Sequence, residues 1–180
     1  MKKYMLAVAL LTMTACESYT PQRYAISADN NVALKSLGIA SVGVGPFTGP
    51  VDFDAGCRAA GPISLPDGMT FEGYIQTALM DELKVAGIYD PANSRVVLTG
   101  AVEQLDFSSI SGLTGGTWDI TLRVRSSNGR SLVVSEHYAF KSGYGAHAAC
   151  RQTAEAYPRA VQNVINKLIT HPQFRDLVTA

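Results

Sequence analysis

The most regular apolar pattern in the chain predicts a helix over residues 70–87. Thr70 or Asp67 can cap its start, and Gly87 can end it in a left-handed conformation. Apolar residues recur between them at every fourth position, at Phe71, Ile75, Leu79 and Leu83. This spacing places the four side chains on one side of a helix, which indicates an amphipathic helix packed on a core.

A second helix is predicted from about residue 146 onward. Its apolar positions recur at three- and four-residue spacing, at Cys150, Ala154, Tyr157, Val161, Ile165 and Leu168. Pro158 lies inside this stretch and lacks a backbone donor, so we expect a kink or a break near Tyr157. Pro172 is expected to end the helix, and a short final turn follows it.

A first strand is predicted from about residue 38 to residue 46, where apolar and aromatic residues alternate with small ones. Gly43 and Gly45 are not expected to hold a nucleotide phosphate. A nucleotide-binding loop opens directly into a helix, whereas Pro46 and a Pro- and Gly-rich segment follow here. Residues 48–68 are therefore predicted to form a long loop.

Three further strands are predicted to form a meander. The first spans residues 95–107, and its alternation slips at Glu103 and Gln104, which indicates a β-bulge. Asn128-Gly129 is a strong signal for the hairpin turn between the other two strands. Their inward positions are Trp118, Ile120, Leu122, Val124, Leu132, Val134, Tyr138 and Phe140. The opposite face carries Thr121, Arg123, Arg125, Ser135 and His137.

These elements predict one α+β domain that spans residues 37–180. In the order β-α-β-β-β-α, the strands form a four-stranded mixed sheet with two helices on one face, which is a two-layer architecture. A helix joins the first strand to the second, so we expect these two strands to be parallel with a right-handed crossover. The chain length suits one such domain.

The N-terminus has the form of a bacterial secretory leader. Lys2 and Lys3 precede an uncharged, mostly apolar run from Met5 to Ala15. This run is too short for a transmembrane helix, which needs roughly 20 apolar residues. No other stretch of the sequence approaches that length, so attachment to a membrane would require a different anchor.

Cys16 supplies a candidate anchor. Residues 10–16, LLTMTAC, end the apolar run with a small residue directly before the cysteine. They resemble the lipobox that the lipoprotein signal peptidase recognises, although Met13 stands where that motif usually has Leu. The resemblance implies removal of residues 1–15 and lipidation of Cys16; an ordinary cleaved leader with an unrelated cysteine is the alternative.

The segment that follows, residues 16–36, is polar and short of apolar periodicity. It is predicted to be a lipidated tether. At about 3.3 Å per extended residue, it could hold the domain tens of ångströms from the bilayer.

The other two cysteines, Cys57 and Cys150, form an even pair once Cys16 carries lipid. A disulfide between them is expected, and it would close a loop of about 93 residues, which corresponds to between 4 and 5 kcal/mol in the chain-entropy account. The alternative is a metal site in which His147 joins the two cysteines. No fourth ligand presents itself, however, and structural zinc sites fill four positions.

Charge excludes one large class of partner. The chain has 15 Lys and Arg against 15 Asp and Glu, and removing Lys2 and Lys3 with the leader leaves a small negative balance. Nucleic-acid binding calls for a clustered basic face, so no nucleic-acid partner is expected. Since no basic cluster could bind lipid headgroups either, several acyl chains would have to anchor the protein.

The chain as a whole resembles a group of small Gram-negative envelope lipoproteins. These are the auxiliary lipoproteins of ABC-type transport systems, the YajG-like lipoproteins and the lipoprotein partner of the lipopolysaccharide translocon. The resemblance lies in the lipobox at Cys16, in Leu98-Thr99-Gly100 at the start of the meander and in the terminal helix that ends at His171-Pro172. It implies a non-catalytic accessory or assembly component of an envelope complex, which faces the periplasm. Because Glu17 is not the Asp that retains such proteins at the inner membrane of enteric bacteria, the outer membrane is favoured.

No catalytic residues, metal or cofactor are predicted. An envelope hydrolase is the less favoured alternative, since His137, His147 and His171 lie apart in the sequence and no Gly-x-Ser-x-Gly elbow occurs. A small-ligand binder would need a cavity lined by aromatics such as Trp118 and Tyr138, where a filled core is the simpler expectation.

We expect a partner protein to bind the uncovered face of the sheet. Arg123 and Arg125 lie on that face, and arginine is enriched at protein interfaces. A glycine-rich loop, predicted over residues 108–117, is expected to extend the surface at one end through Gly112, Gly115 and Gly116.

Overall fold

A computed structural model describes residues 18–39, 41–112 and 114–179. The predicted lipidation at Cys16 and the leader lie outside these residues. The helices are α1 (Ala28–Ser36), α2 (Phe71–Ala86), α3 (Ala146–Thr170) and α4 (Phe174–Val178), with a 3₁₀ turn at Pro66–Gly68. The strands are β1 (Val42–Thr48), β2 (Gly56–Cys57), β3 (Gly61–Pro62), β4 (Val96–Ser111), β5 (Gly115–Ser126) and β6 (Ser131–Lys141).

The main sheet has four strands in the order β1-β4-β5-β6. β1 and β4 are parallel, whereas the β4–β5 and β5–β6 pairs are antiparallel. This confirms the predicted α+β fold with a mixed sheet. β1 begins at Val42 rather than near residue 38, and its register shifts between Val44 and Phe47. Pro46 lies in that shift on an edge strand, where a missing backbone donor is tolerated.

The predicted bulge is present, because the pairing of β4 with β5 shifts between Val102 and Gln104. The predicted loop over residues 108–117, however, is wrong. β4 continues to Ser111, β5 begins at Gly115, and Gly115 and Gly116 are strand residues that pair with β6. A Cβ on Gly116 would lie 2.4 Å from Cζ of Phe140. Glycine is therefore required there for close packing, not for flexibility.

α2 has the predicted ends. Oγ1 of Thr70 accepts a hydrogen bond from the Gly73 backbone N–H at 3.2 Å, and Gly87 ends the helix with φ of 77°. α3 does not break at Pro158 but runs on to Thr170. The neighbouring Tyr157 is fully buried and donates a hydrogen bond from its hydroxyl to the Phe71 carbonyl at 3.0 Å. Packing of this kind can hold a helix together across a missing backbone bond.

Trp118 lies at the centre of the core, between the sheet and the helices. It is fully buried, and its indole N–H donates to the Thr153 carbonyl at 2.8 Å. The ring centroids of Tyr157 and Phe107 lie 4.7 Å and 4.9 Å from that of Trp118. Aromatic side chains thus fill the region around Trp118, and this part of the core is packed.

The tether prediction is wrong for most of its length. Tyr19 is 5% exposed and exchanges backbone hydrogen bonds with the strand-like segment at Pro62 and Ser64, each 3.0 Å long. Farther along, α1 contacts α2 and α3 and buries Leu34 completely. The ordered domain therefore begins near Tyr19, not at residue 37.

Polar contacts hold this N-terminal segment, which explains why it lacks an apolar pattern. Glu82 of α2 is fully buried, and its Oε1 accepts hydrogen bonds from the Tyr24 hydroxyl at 2.7 Å, the Ser27 backbone at 2.9 Å and the Asn30 amide at 3.0 Å. Burial and the adjoining Glu82 carboxylate raise the pKa of Tyr24 far above its ordinary value. Oε2 of Glu82 has no hydrogen-bond partner in the described ranges. The carboxylate thus couples α2 to the start of the domain.

Cys57 and Cys150 are joined by a disulfide with Cα atoms 5.8 Å apart. The bond connects the β2–β3 hairpin to the first turns of α3. Because both sulfur atoms are in the bond, neither is a thiolate that could take part in the alternative metal site. Nδ1 of His147, the third member of that alternative, lies 2.7 Å from the Tyr19 hydroxyl.

Candidate functional site

The open face of the sheet is the predicted binding surface. The helices pack against the face that carries Trp118, and the alternate residues of β5 and β6 point the other way. The exposed or half-buried positions there include Asp119, Thr121, Arg123, Arg125, Val133, Ser135 and His137. Strand alternation alone places these side chains together, as expected from the sequence.

The two arginines of this face differ in their surroundings. Nε of Arg123 donates to Glu103 of β4 at 2.5 Å, and a second guanidinium nitrogen donates at 3.2 Å. This hydrogen bond holds the pKa of Glu103 below its ordinary value and raises the pKa of Arg123. Arg125 is exposed and stands beside a depression of about 240 Å³. Arg123 also lines that depression, together with Pro46, Thr48, Thr99, Gly100 and Ala101. Arg125 is therefore the better placed of the two to bind an acidic group.

The structure does not bring the glycines to the arginines. Gly115 and Gly116 begin β5, and Arg125 lies near its other end, so at about 3.3 Å per residue they are roughly 30 Å apart. Gly112 lies in the β4–β5 turn with φ of 61°. The predicted composite surface is thus two separate regions, because the segment that was expected to be a loop is strand.

A histidine and an aspartate form a pair that sequence reasoning missed. Nδ1 of His137 lies 2.6 Å from Oδ1 of Asp119 across β5 and β6. Two residues along each strand, the hydroxyls of Thr121 and Ser135 lie 3.0 Å apart. The register counted back from the hairpin turn at Asn128 could have revealed both pairs.

This set includes the residue types of a hydrolytic triad, yet its geometry differs from one. An active triad needs the hydroxyl within hydrogen-bond reach of the histidine, and also donors for the developing oxyanion. The Ser135 hydroxyl contacts Thr121 instead, and the side chain of His137 is 65% exposed on an open surface. The hydroxyl and the histidine are thus not hydrogen-bonded to each other as a triad requires.

A second candidate site is an apolar groove of about 450 Å³ between the 50–70 segment and the start of α2. Its volume lies in the range of small-molecule sites. The groove is lined by Pro50, Phe53, Ala55, Ile63, Ser64, Leu65, Gly68, Met69, Thr70, Phe71, Glu72 and Leu105. The ligand cavity considered at Trp118 and Tyr138 is a different place, and Trp118 there is fully buried. The apolar residues dispersed through the Pro- and Gly-rich segment were the available signal for the groove.

Comparison with known proteins identifies similar folds. A solved structure from Xanthomonas campestris, of the family DUF330, has a TM-score of 0.51 and 10% sequence identity, and the match covers 85% of this chain and 95% of that one. A candidate lipoprotein from Caulobacter crescentus has a TM-score of 0.45 and 12% identity, with coverage of 79% and 90%. No family model and no curated protein matches the sequence. At this identity the Xanthomonas structure shows a shared fold.

Proposed function

We propose that the chain is a bacterial envelope lipoprotein, anchored through acyl chains on Cys16, whose domain serves without catalysis as an accessory or assembly component. The position of Cys16 carries the proposal. It follows an apolar leader and a small residue, and the packed domain begins three residues later at Tyr19. A cleavage site is expected at such a junction between leader and folded domain.

The pairing of the cysteines supports the assignment. Cys57 and Cys150 are bonded to each other, so Cys16 is the remaining thiol of a protein exported to an oxidising compartment. In the described ranges, no helix is both long enough and apolar enough to cross a bilayer. A lipid anchor provides attachment that does not depend on such a helix.

The proposed setting is the periplasmic side of the envelope, with the outer membrane favoured by Glu17. Support comes from the resemblance to auxiliary and assembly lipoproteins of envelope complexes. The open sheet face around Arg125 offers a surface for a protein partner, and Arg123 and His137 add polar groups to it. In this proposal the partner is a larger envelope protein, and the domain stabilises it or helps it pass lipid or polymer.

Lipidation is tested by incorporation of radiolabelled palmitate in a bacterial host. We expect the wild type to be labelled and Cys16→Ala to be unlabelled and absent from the mature membrane fraction. The matched control is Cys57→Ala with Cys150→Ala, which removes the other two cysteines and should keep the label. Label that persists in Cys16→Ala would overturn the proposal.

The partner surface is tested by crosslinking in intact cells and recovery from membranes. Arg123→Glu with Arg125→Glu should lower the yield of crosslinked envelope proteins, because the charge of the surface is reversed. The control reverses two exposed arginines of α3, Arg151 and Arg159, and should leave the yield unchanged. Circular dichroism checks that both variants fold. An unchanged set of partners in the first variant would exclude this face.

A second candidate function is the binding of an apolar ligand, which the 450 Å³ groove favours. A fluorescent fatty-acyl probe should bind the wild type and lose affinity on Met69→Asp, since that change places a charge in the groove. Val85→Asp, at a 51% exposed position of α2, is the control and should bind as the wild type does. Equal binding by all three proteins would rule the groove out.

A further inference from the structure

The distance between the proposed anchor and the folded domain is short. Two residues, Glu17 and Ser18, separate Cys16 from Tyr19, and the three residue steps of an extended chain span at most about 11 Å. Tyr19 is fixed in the domain by its backbone bonds to Pro62 and Ser64 and by its hydroxyl contact with His147. The end of the domain that carries Tyr19 therefore has to lie close to the bilayer.

Two other segments meet at that end. Tyr144 precedes His147 by three residues in the sequence. Arg58 precedes Ala60 by two residues, and the Ala60 carbonyl accepts a hydrogen bond from the Tyr19 hydroxyl at 3.5 Å. The Arg58 guanidinium donates to the Tyr144 carbonyl at 3.1 Å and to the Ser109 hydroxyl at 2.7 Å. Arg58 thus ties the end of β4 and the start of α3 to the hairpin beside Tyr19.

These segments expose two large apolar side chains. Tyr144 is 76% exposed, and Ile110, which follows Ser109, is 62% exposed. A tyrosine with an apolar ring and a polar hydroxyl is enriched where lipid meets water. Isolated exposed apolar residues are common on soluble proteins, but this pair is held by one arginine at the end nearest the anchor.

We propose that this end, the anchor-side surface formed by Arg58, Ile110 and Tyr144 beside Tyr19, rests on the phospholipid bilayer with Ile110 and Tyr144 in the headgroup layer. The inference rests on the proposed lipidation of Cys16. The guanidinium of Arg58 donates to Ser109 and to the Tyr144 carbonyl and so positions the two segments, and the side chains proposed to enter the headgroup layer are those of Ile110 and Tyr144.

The proposed contact fixes the orientation of the domain relative to the bilayer. The domain does not move on a long tether but is held against the membrane at two places, the acyl chains and the anchor-side surface. A single acyl chain binds membranes marginally, and additional contacts make attachment durable.

Depth-dependent quenching tests the orientation. The lipidated protein is reconstituted into phosphatidylethanolamine and phosphatidylcholine vesicles that contain brominated lipids. Tyr144→Trp and Ile110→Trp should each show a blue shift and loss of fluorescence. Val85→Trp, at a 51% exposed position of α2, is the matched control and should show neither. The wild type is the blank, because its one tryptophan, Trp118, is fully buried.

A length variant sharpens the test. Insertion of about twenty Gly and Ser residues after Glu17 should weaken the quenching of Tyr144→Trp, since a flexible chain lowers the effective concentration of the surface at the bilayer. Palmitate labelling of each protein separates the two claims. A labelled, vesicle-bound protein without quenching would overturn the orientation and leave the lipoprotein proposal standing. Loss of the label in the wild type would overturn both.

Discussion

The two faces of β5 differ in burial. Its inward residues Trp118, Ile120, Leu122 and Val124 are at most 1% exposed. The outward residues alternate with them, and the last, Arg125, is exposed. Burial of apolar area at roughly 25 cal/mol per Å² stabilises the fold on the first face. The second face buries less apolar area, so core packing constrains its residues less.

Two ion pairs, each between a glutamate and a basic side chain, also differ between the covered and the open face of the sheet. Glu136 of β6 is 6% exposed on the covered side, where Lys167 lies 2.7 Å away and the Asn163 amide donates at 2.8 Å. Glu103 is exposed on the open side, where Arg123 is its partner. Removing a partner costs more where water cannot replace it. The covered pair should therefore matter for stability, and the open pair for the local charge.

The largest expected effect is at Trp118. Trp118→Ala should lower the free energy of unfolding by about 3–5 kcal/mol, because it leaves a cavity among packed aromatic rings. Urea denaturation followed by circular dichroism measures it. Trp118→Phe is the control. It keeps an aromatic ring and loses the hydrogen bond to Thr153, so we expect the free energy of unfolding to fall by only about 1–2 kcal/mol. Equal losses in the two variants would contradict a packed inner face.

Glu136→Ala should lower the free energy of unfolding by about 1.5–3 kcal/mol, since it removes charge-assisted hydrogen bonds from a buried position. The companion variant Glu103→Ala should lower the urea midpoint much less, since water can replace the partner of an exposed ion pair. If the two glutamates gave equal losses, the contrast between the covered and open faces would not hold.

Gly116→Ala should destabilise by about 1–3 kcal/mol, because the new Cβ has no room beside Phe140. Thermal unfolding detects the loss. Gly143→Ala is the control, since the nearest atoms to its Cβ would be 3.4 Å away, at ordinary contact distance. If Gly116→Ala left the stability unchanged, the result would favour the predicted flexible loop over the strand at Gly116.

The smallest effect concerns the titration of the open face. Arg123→Ala should raise the pKa of Glu103 toward its ordinary value, as followed by NMR of the carboxyl carbon. Because the folded-state pKa of Glu103 is lowered, the pair stabilises the fold above the unfolded pKa, and the contribution disappears as the pH falls through the folded pKa. Arg125→Ala should give a smaller rise, since Arg125 acts on Glu103 through charge without a hydrogen bond. An unchanged pKa in Arg123→Ala would show that the pair does not form in solution.

Local patterns predicted the parts of the fold that depend on local chemistry. The four-residue spacing from Phe71 predicts α2, and the slip at Glu103 and Gln104 predicts the bulge. Alternation from Trp118 to Val124 separates the two faces of β5. Each of these follows from residues near one another in the sequence, where period and propensity act.

Other parts depend on residues far apart in the chain. α1 is held by Glu82, more than 50 residues away from Ser27 and Asn30, so its own sequence shows no apolar stripe. Gly116 lies in a glycine-rich stretch that is typical of a loop. The reason for a glycine there is the ring of Phe140 on another strand, which leaves no room for a Cβ. The groove likewise combines the 50–72 segment with Leu105 of β4. The two partners of each of these contacts are far apart in the sequence, so a pattern read over neighbouring residues cannot reveal them.

The disulfide has a consequence for the order of maturation on the proposed export route. The cytosol keeps thiols reduced, and the bond can form only after both cysteines have reached an oxidising compartment. Cys16 emerges at the start of translocation, whereas Cys150 emerges 93 residues after Cys57. On this proposed route the N-terminus would reach the acylating enzymes before the covalent loop could close. The domain would complete its folding while already attached to the membrane, and a chain delayed in the cytosol would stay uncrosslinked and thus easier to thread through the export channel.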